Sequence, residues 1–399
     1  MVKNGGKKMK LLLIVDSHIY KTNDGKYWCK GITDRAFFER YLKVFEKIKI
    51  VSRIQKVDNI DEKIFLRVDS DEIEFVEMPF IRRTKDYILN YRIFIKKFKE
   101  GMQDCDCAIF RLPSILSYIT YNTYKKTGKP SAVEIVADPE YAYSDFKFLS
   151  VFLKYKLKKI AKNSDGVSYV TEKYLQSIYP SKITLKDSDR FESFYSSIDL
   201  SDDFFDKKRN SSSKSEYIIA HTANISKSMV KGQDVLIRAL GVLKKNGYKV
   251  KCNFIGDSEI KDKYYEIARE CNVLEDIKFT GLITDKNEFR NILKMADIFV
   301  LPTKAEGLPR SVIEAMALGI PCVSTPVNGI PELLTDEFMV APNDYEGFAK
   351  IIKRLIDNPQ IMNEASERNI EKAKEYRYEI LQERRIEFYK KLRSLVEKL

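Results

Sequence analysis

The sequence predicts an α/β protein built from two doubly wound domains that face each other across a cleft. Short apolar runs alternate with longer segments of helical period through most of the chain, the signature of parallel sheets with crossover helices. The length of 399 residues exceeds one ordinary core and suits two domains of roughly 150 to 200 residues each. Near the middle, the polar, serine-rich stretch SDDFFDKKRNSSSKS at 201–215 interrupts the alternation and reads as a linker.

Taken in order, the run LLLIV at 11–15 stops at Asp16, short of the apolar stretch of about 7 to 15 residues that a signal peptide needs, so it is read as a first buried strand. Further strands are expected at 48–52, 74–78, 108–111, 132–136 and 166–170, with helices at 34–47, 86–101 and 149–163. These make an N-terminal Rossmann-like domain over 1–200. After the linker, strands at 217–221, 249–255, 277–280, 298–301 and 321–324 alternate with helices at 233–246, 264–270, 288–295 and 311–317, giving a second such domain over 216–375. The pattern is helical from 345, with a break at Pro359, and the charged helix at 376–399 is expected to cross back to the N-terminal domain. Ligands of open α/β sheets bind outside the carboxyl ends of the strands, so the cleft between the two sheets is the expected site.

Composition narrows the function classes. With 44% hydrophobic and 32% charged residues the chain is globular, not disordered or fibrous. No stretch approaches the roughly 18 uninterrupted apolar residues of a membrane span, so a soluble or peripheral protein is expected. Six scattered cysteines, mostly inside apolar segments, suit reduced thiols of a cytoplasmic protein. Residues 1–200 hold 37 basic and 27 acidic side chains, a net +10, whereas the rest hold 33 and 31, a net +2. The basic N-terminal half fits an anionic partner, either a membrane surface, a pyrophosphate-linked lipid or nucleic acid, or else simply a basic soluble surface. Two stretches mix aromatic and aliphatic residues with lysines, YRIFIKKFK at 91–99 and FKFLSVFLKYKLKKIAK at 146–162. They either lie on an anionic bilayer or pack on their own sheet with snorkelling lysines.

The most informative stretch is ADIFVLPTKAEGLPRSVIEAMALGIPCVSTPVNGIPEL, from Ala296 to Leu333. A buried strand feeds a loop holding Glu306, Gly307, Leu308 and Pro309, and a helix should begin near Ser311, with Ser311 as its cap. Unpaired N–H groups at a helix N-terminus favour a phosphate, and Gly307 permits close approach of backbone to a ligand. Carboxylates bond strongly to hydroxyls. Glu306 before the helix and Glu314 on its first turn therefore suggest a ligand combining phosphate with a polyol.

Here the passage resembles the E-x7-E region of the family 4 retaining glycosyltransferases, whose fold is called GT-B. Glu306 and Glu314 have the spacing, framed by A-D-I-F-V-L-P before, E-A-M-A-x-G-x-P-x-V after, and G-I-P-E-L at Gly329 to Leu333. The resemblance covers 217–358 well and the N-terminal half loosely. It implies that Glu314 holds the ribose hydroxyls of a nucleotide-sugar, while Glu306 and the backbone at Gly307 and Leu308 hold the donor sugar and its phosphate. A second matching run, V-K-G-Q-D-V-L-I-R-A-L from Val230 to Leu240, gives Lys231 the donor diphosphate, where a fixed cation offsets charge on the leaving group. The family's usual arginine is replaced by Ala223 and Asn224, with Lys227 or Arg310 left to complete the clamp. F-T-G-L-I at Phe279 to Ile283 resembles the passage that meets the nucleobase through backbone at Leu282 and Ile283.

The acceptor belongs in the N-terminal half. Where family members often carry a histidine, this chain offers Asp138, a cleft residue or an ordinary loop aspartate before Pro139. The loop at 16–31, with His18, should also face the cleft. The D-x-D pairs at Asp104/Asp106, Asp69/Asp71 and Asp187/Asp189 are at chance level in so charged a chain, and C-x-C at Cys105 and Cys107 has no second cysteine pair to complete a zinc site. The expectation is a metal-independent retaining glycosyltransferase without cofactor, with catalytic Glu306, Lys231 and Asp138, moving a sugar from a nucleotide-sugar to a saccharide or lipid-linked acceptor. It would work in the cytoplasm with peripheral contact to an anionic membrane and would bind no nucleic acid. The rivals are another activity on the same fold, a sugar phosphorylase or nucleotide-sugar epimerase, and a non-catalytic basic nucleic-acid-binding protein.

Overall fold

The computed structural model describes residues 8–30, 33–62, 64–143, 146–183, 189–222, 229–256, 260–283 and 285–399. It divides into two compact units, Met1–Tyr195 together with Gln382–Leu399, and Ser196–Leu381.

In the first unit the strands are β1 (Lys10–Lys21), β2 (Tyr27–Cys29), β3 (Lys47–Lys56), β4 (Leu66–Arg67), β5 (Ile73–Pro79), β6 (Cys107–Leu112), β7 (Ser131–Ile135), β8 (Gly166–Tyr169) and β9 (Phe191–Phe194). Parallel pairing gives the order β5-β3-β1-β6-β7-β8-β9. The chain runs outward from β1 through β3 to β5, then returns to β6 on the other side of β1, which makes a switch point between β1 and β6. Leu11 to Ile14 are fully buried, as a strand flanked on both sides and covered on both faces requires.

The first strand is longer than the sequence suggested. The expected loop at 16–31 is instead a continuation of β1 to Lys21, shifted in register between Ile14 and His18, followed by a hairpin to β2. The continuation holds because β3 also extends, pairing Ile19 with Ile54, while Ile19, Trp28 and Cys29 are buried.

The helices here are α1 (Arg35–Leu42), α2 (Thr84–Leu89), α3 (Tyr91–Gly101), α4 (Ile115–Lys125), α5 (Pro139–Ala142), α6 (Lys147–Asn163) and α7 (Tyr174–Ile178). Asp34 caps α1 by accepting from the Phe37 N–H at 2.9 Å. The single helix expected at 86–101 breaks at Asn90, whose φ of −99° and ψ of 11° leave the helical region and whose amide donates to the Asp86 carbonyl at 2.9 Å.

The second unit has five parallel strands in the order β12-β11-β10-β13-β14: β10 (Tyr217–Thr222), β11 (Val250–Ile255), β12 (Ile277–Gly281), β13 (Ile298–Leu301) and β14 (Cys322–Ser324). Its helices are α8 (Gln233–Lys245), α9 (Lys261–Glu270), α10 (Lys286–Lys294), α11 (Arg310–Ala317), α12 (Tyr345–Asp357) and α13 (Pro359–Lys374). Asp285 and Asp344 cap α10 and α12 by accepting from Glu288 N at 2.7 Å and Gly347 N at 2.8 Å. Pro359 opens α13, where a missing N–H costs nothing. The serine-rich stretch at 201–215 is held against this unit: Arg209 donates to the carbonyls of Lys294 at 2.9 Å and Leu318 at 3.2 Å.

The last helix, α14 (Tyr378–Glu397), begins in the second unit and continues in the first from Gln382. Glu134 on β7 fastens it there. This buried carboxylate accepts from Tyr41 and Arg111, each at 2.8 Å, from Tyr195 at 3.1 Å and from Tyr389 of α14 at 2.9 Å. Burial and the adjacent charge push the three phenols well above the usual tyrosine range, so they remain donors. Glu134→Ala leaves the partly buried Arg111 and three buried phenols without their acceptor and is expected to cost about 3 kcal/mol in urea unfolding; trypsin should then cut the 382–399 segment sooner than in the parent.

Candidate active site

In the second sheet the chain leaves β10 toward β11 and β12, then returns to β13 on the opposite side, so the switch point lies between β10 and β13. Two segments meet at its carboxyl end. One follows β10 and reaches a single 3-10 turn, Met229–Lys231, before α8. The other is the loop from Pro302 to Pro309 between β13 and α11.

Backbone contacts lock these segments together. The Val230 carbonyl accepts from Lys304 N at 2.7 Å and from Thr303 Oγ1 at 3.2 Å. Gly232 sits at φ +75°, and a Cβ there would fall 2.0 Å from the Pro302 carbonyl oxygen. Glycine is thus required twice over, by conformation and by space. The result is a Lys231 ammonium paired with the Glu306 carboxylate. Glu306 is held from behind, since Asn328 Nδ2 donates to its carbonyl and Gly329 N donates to Gly307 O at 3.1 Å.

Helix α11 points its N-terminus at this loop. It starts at Arg310 with Pro309 in the cap position, and no side chain caps it. Ser311 therefore stands inside the first turn and is not the cap: Pro309 adopts the extended backbone a cap residue needs, at φ −72° and ψ 111°. The helix also starts one residue earlier than expected, so Glu314 opens the second turn and the first holds no acid. Burial raises the Glu314 carboxyl above the ordinary range, against the opposing pull of Arg310 and Lys286.

One residue at this end was not foreseen. His221, fully buried near the end of β10, donates from Nδ1 to the Val300 carbonyl at 2.8 Å, leaving Nε2 without a partner among the described residues. Burial, with Lys231 nearby, holds its imidazole down to about 4, so Nε2 is an acceptor at neutral pH. No motif spacing marks it. Only its position after a buried strand run does.

Other sequence candidates are placed as follows. Leu282 and Ile283 follow β12 directly, beyond Gly281 at φ +79°, and Leu282 is exposed. Gly307 and Leu308 belong to the locked loop, with Leu308 buried. Ala223, Asn224 and Lys227 lie outside the described residues, as does Asp187. Asp138 belongs to the first unit and is buried, its Oδ1 accepting from Glu140 N at 2.8 Å at the start of α5. Asp104 is tied up by Lys10 at 2.8 Å and Lys49 at 2.5 Å, and Asp106 accepts from Lys10 N at 2.9 Å. The first unit has its own cavity of about 520 Å³ at its switch point, lined by Asp16, His18, Lys30, Arg111 and Ser114 among others. Asp16 there is neutralised by Arg53 at 2.5 Å.

Known proteins share the sequence and fold of this unit. The sequence model described as "Glycosyl transferases group 1" matches residues 202–376, the whole of the second sheet with its loops. Residues 202–376 therefore carry a group 1 glycosyltransferase domain. This glycosyltransferase is 28% identical to "Protein CapJ" of Staphylococcus aureus over 392 residues, 96% of each chain. It is 32% identical over 108 residues to the "UDP-Gal:alpha-D-GlcNAc-diphosphoundecaprenol alpha-1,3-galactosyltransferase" of Escherichia coli, 26% of this chain and 27% of that one. The solved sucrose-phosphate synthase of Thermosynechococcus elongatus shares its fold, with a TM-score of 0.73 at 15% identity over 97% of this chain and 100% of that one. The glycosyltransferase is therefore of the GT-B type.

Gly232→Ala is expected to cost about 2–4 kcal/mol, from the left-handed conformation and the clash together, read as a lower urea midpoint. For Glu314, a raised carboxyl means that the folded protein binds the proton more tightly than the unfolded chain does. Stability is then lost as pH rises through the raised value, and no loss exists below the ordinary carboxylate range. Glu314→Gln should accordingly raise the melting temperature of the ligand-free protein at neutral pH, with the gain vanishing in acid; thermal unfolding across pH reads both.

Proposed function

We propose that the switch-point site of the second unit binds a nucleotide-sugar and that the enzyme transfers its sugar, with retained anomeric configuration, to the hydroxyl of a surface saccharide or of its lipid carrier. The observation that carries this reading is the Lys231–Glu306 pair, set beside a glycine pressed against Pro302, at the mouth of an uncapped helix. Without ligand, the two charges neutralise each other. A donor diphosphate draws the Lys231 ammonium to itself, and Glu306 is released to accept bonds from sugar hydroxyls. The amides of Arg310 and Ser311, with Gly307, Leu308 and Pro309 forming the approach, receive the phosphate charge. Glu314 accepts from ribose hydroxyls, and Leu282 and Ile283 meet the base through backbone.

As the bond from the anomeric carbon to the diphosphate breaks, negative charge gathers on the departing oxygen, where Lys231 and the helix dipole offset it without a metal. The new bond forms to the acceptor oxygen, whose proton leaves with the diphosphate. Asp138, buried at the start of a short helix, acts by shaping the acceptor loop. The first unit's cavity takes the acceptor, and its Lys30 suits an anionic, diphosphate-linked one. The E. coli relative, named for transfer to a GlcNAc-diphosphoundecaprenol, supports that class. Six free cysteines and such an acceptor fit an enzyme of the cytoplasm working at the inner face of the membrane.

A thermal-shift panel of nucleoside diphosphates and their sugars identifies the donor, and product analysis with labelled donor separates transfer from phosphorolysis or epimerisation. Lys231→Ala and Glu306→Ala should each lower transfer by roughly 10²–10³, while Glu314→Ala should weaken donor binding about tenfold to a hundredfold. Parental rates and affinities in all three variants would refute the assignment.

A further inference from the structure

In the first unit, α6 carries two apolar faces. Leu153, Leu157 and Ile160 face the core and are buried. On the other face, Phe148, Val151, Phe152 and Tyr155 follow one another at the spacing that lines up one side of a helix, and all are exposed, Phe148 at 95%. A single exposed apolar residue needs no explanation, but a row of four with three aromatic rings does. A second patch lies at the junction of α2 and α3, where Ile88 and Leu89 are 77% and 79% exposed. Helix α4 packs against both α3 and α6, so the two patches belong to one helical layer over the sheet.

Charge decides what covers them. Residues 146–163 contain six lysines and no acidic residue. Lys158, Lys159 and Lys162 are exposed just beyond the aromatic row. Around the second patch the exposed Arg92, Lys96 and Lys97 are likewise cationic. A second copy of this chain would set lysine against lysine across any symmetric contact, whereas a bilayer with anionic headgroups accepts both the rings and the cations.

We propose that the α2–α3 junction and the outer face of α6 form the surface by which this enzyme docks on an anionic membrane, with Phe148 and Phe152 inserted at the headgroup boundary. The proposal adds a docking face to the membrane-linked acceptor suggested above and does not depend on the donor-site assignment.

The test is sedimentation of the full chain with vesicles of phosphatidylcholine alone and of phosphatidylcholine mixed with an equal part of phosphatidylglycerol. Strong binding is expected only to the mixed vesicles, and Phe148→Ser with Phe152→Ser should weaken it at least about tenfold, the scale of two lost aromatic insertions. Circular dichroism and an unchanged nucleoside-diphosphate thermal shift would show that the double variant is folded and that its donor site is intact. Equal binding of the parent chain to both vesicles would overturn the proposal. So would undiminished binding of the folded variant, or a dimer that the substitutions dissociate in a parent chain that ignores vesicles.

Discussion

Glu134 stands on a strand with neighbours on both sides, in a sheet covered on both faces, where an unpaired carboxylate would be far too costly to keep. It is satisfied by one guanidinium and three phenols drawn from β6, α1, the end of β9 and the final helix. The stacking of Tyr41 on Tyr389, with ring centroids 4.8 Å apart, adds apolar contact to the same junction. These contacts assign the chain's end to the unit in which the chain begins, and they fix β7 beside the switch point of the first sheet.

A comparable economy governs the second unit. The carboxyl end of its sheet is made chiefly from main chain: a carbonyl at Val230, a glycine pressed against Pro302, and first-turn amides of α11. The side chains that carry charge, Lys231 and Glu306, are placed by that backbone and neutralise each other in the absence of ligand. Such a pair can be half-buried without a large electrostatic penalty, yet each partner has a better one in a molecule that bears both phosphate and hydroxyls. His221 adds a lone pair beneath the same floor, kept unprotonated by burial.

What the sequence disclosed follows from which signals are local. The run Ile298 to Leu301 reads as a buried strand because all four residues are apolar, and the glutamates at 306 and 314 stand out because their frame is specific. The continuation of β1 through Asp16, Ser17 and His18 did not read as strand, since its polar residues make sense only once β3 is known to extend beside it. Helix α4 was missed because Ile, Thr and Tyr dominate it, residues with modest helical preference that tertiary packing overrides. The pairing of Lys231 with Glu306 spans 75 positions, and the donors to Glu134 span up to 255; separations of that order leave no pattern to read. The choice of Pro309 over Ser311 as the cap turned on a single residue's backbone angles, a distinction below the reach of composition.

The discontinuous first unit has a consequence for biosynthesis. A nascent chain usually completes its leading domain while the remainder is still being made. Here residues 382–399 belong to the leading unit, and Tyr389 supplies one of the four donors to Glu134. The ribosome must finish the entire second sheet before the first can close around its carboxylate. The leading half therefore waits, incomplete, until residues 382–399 have been translated, which gives the intervening unit first claim on folding.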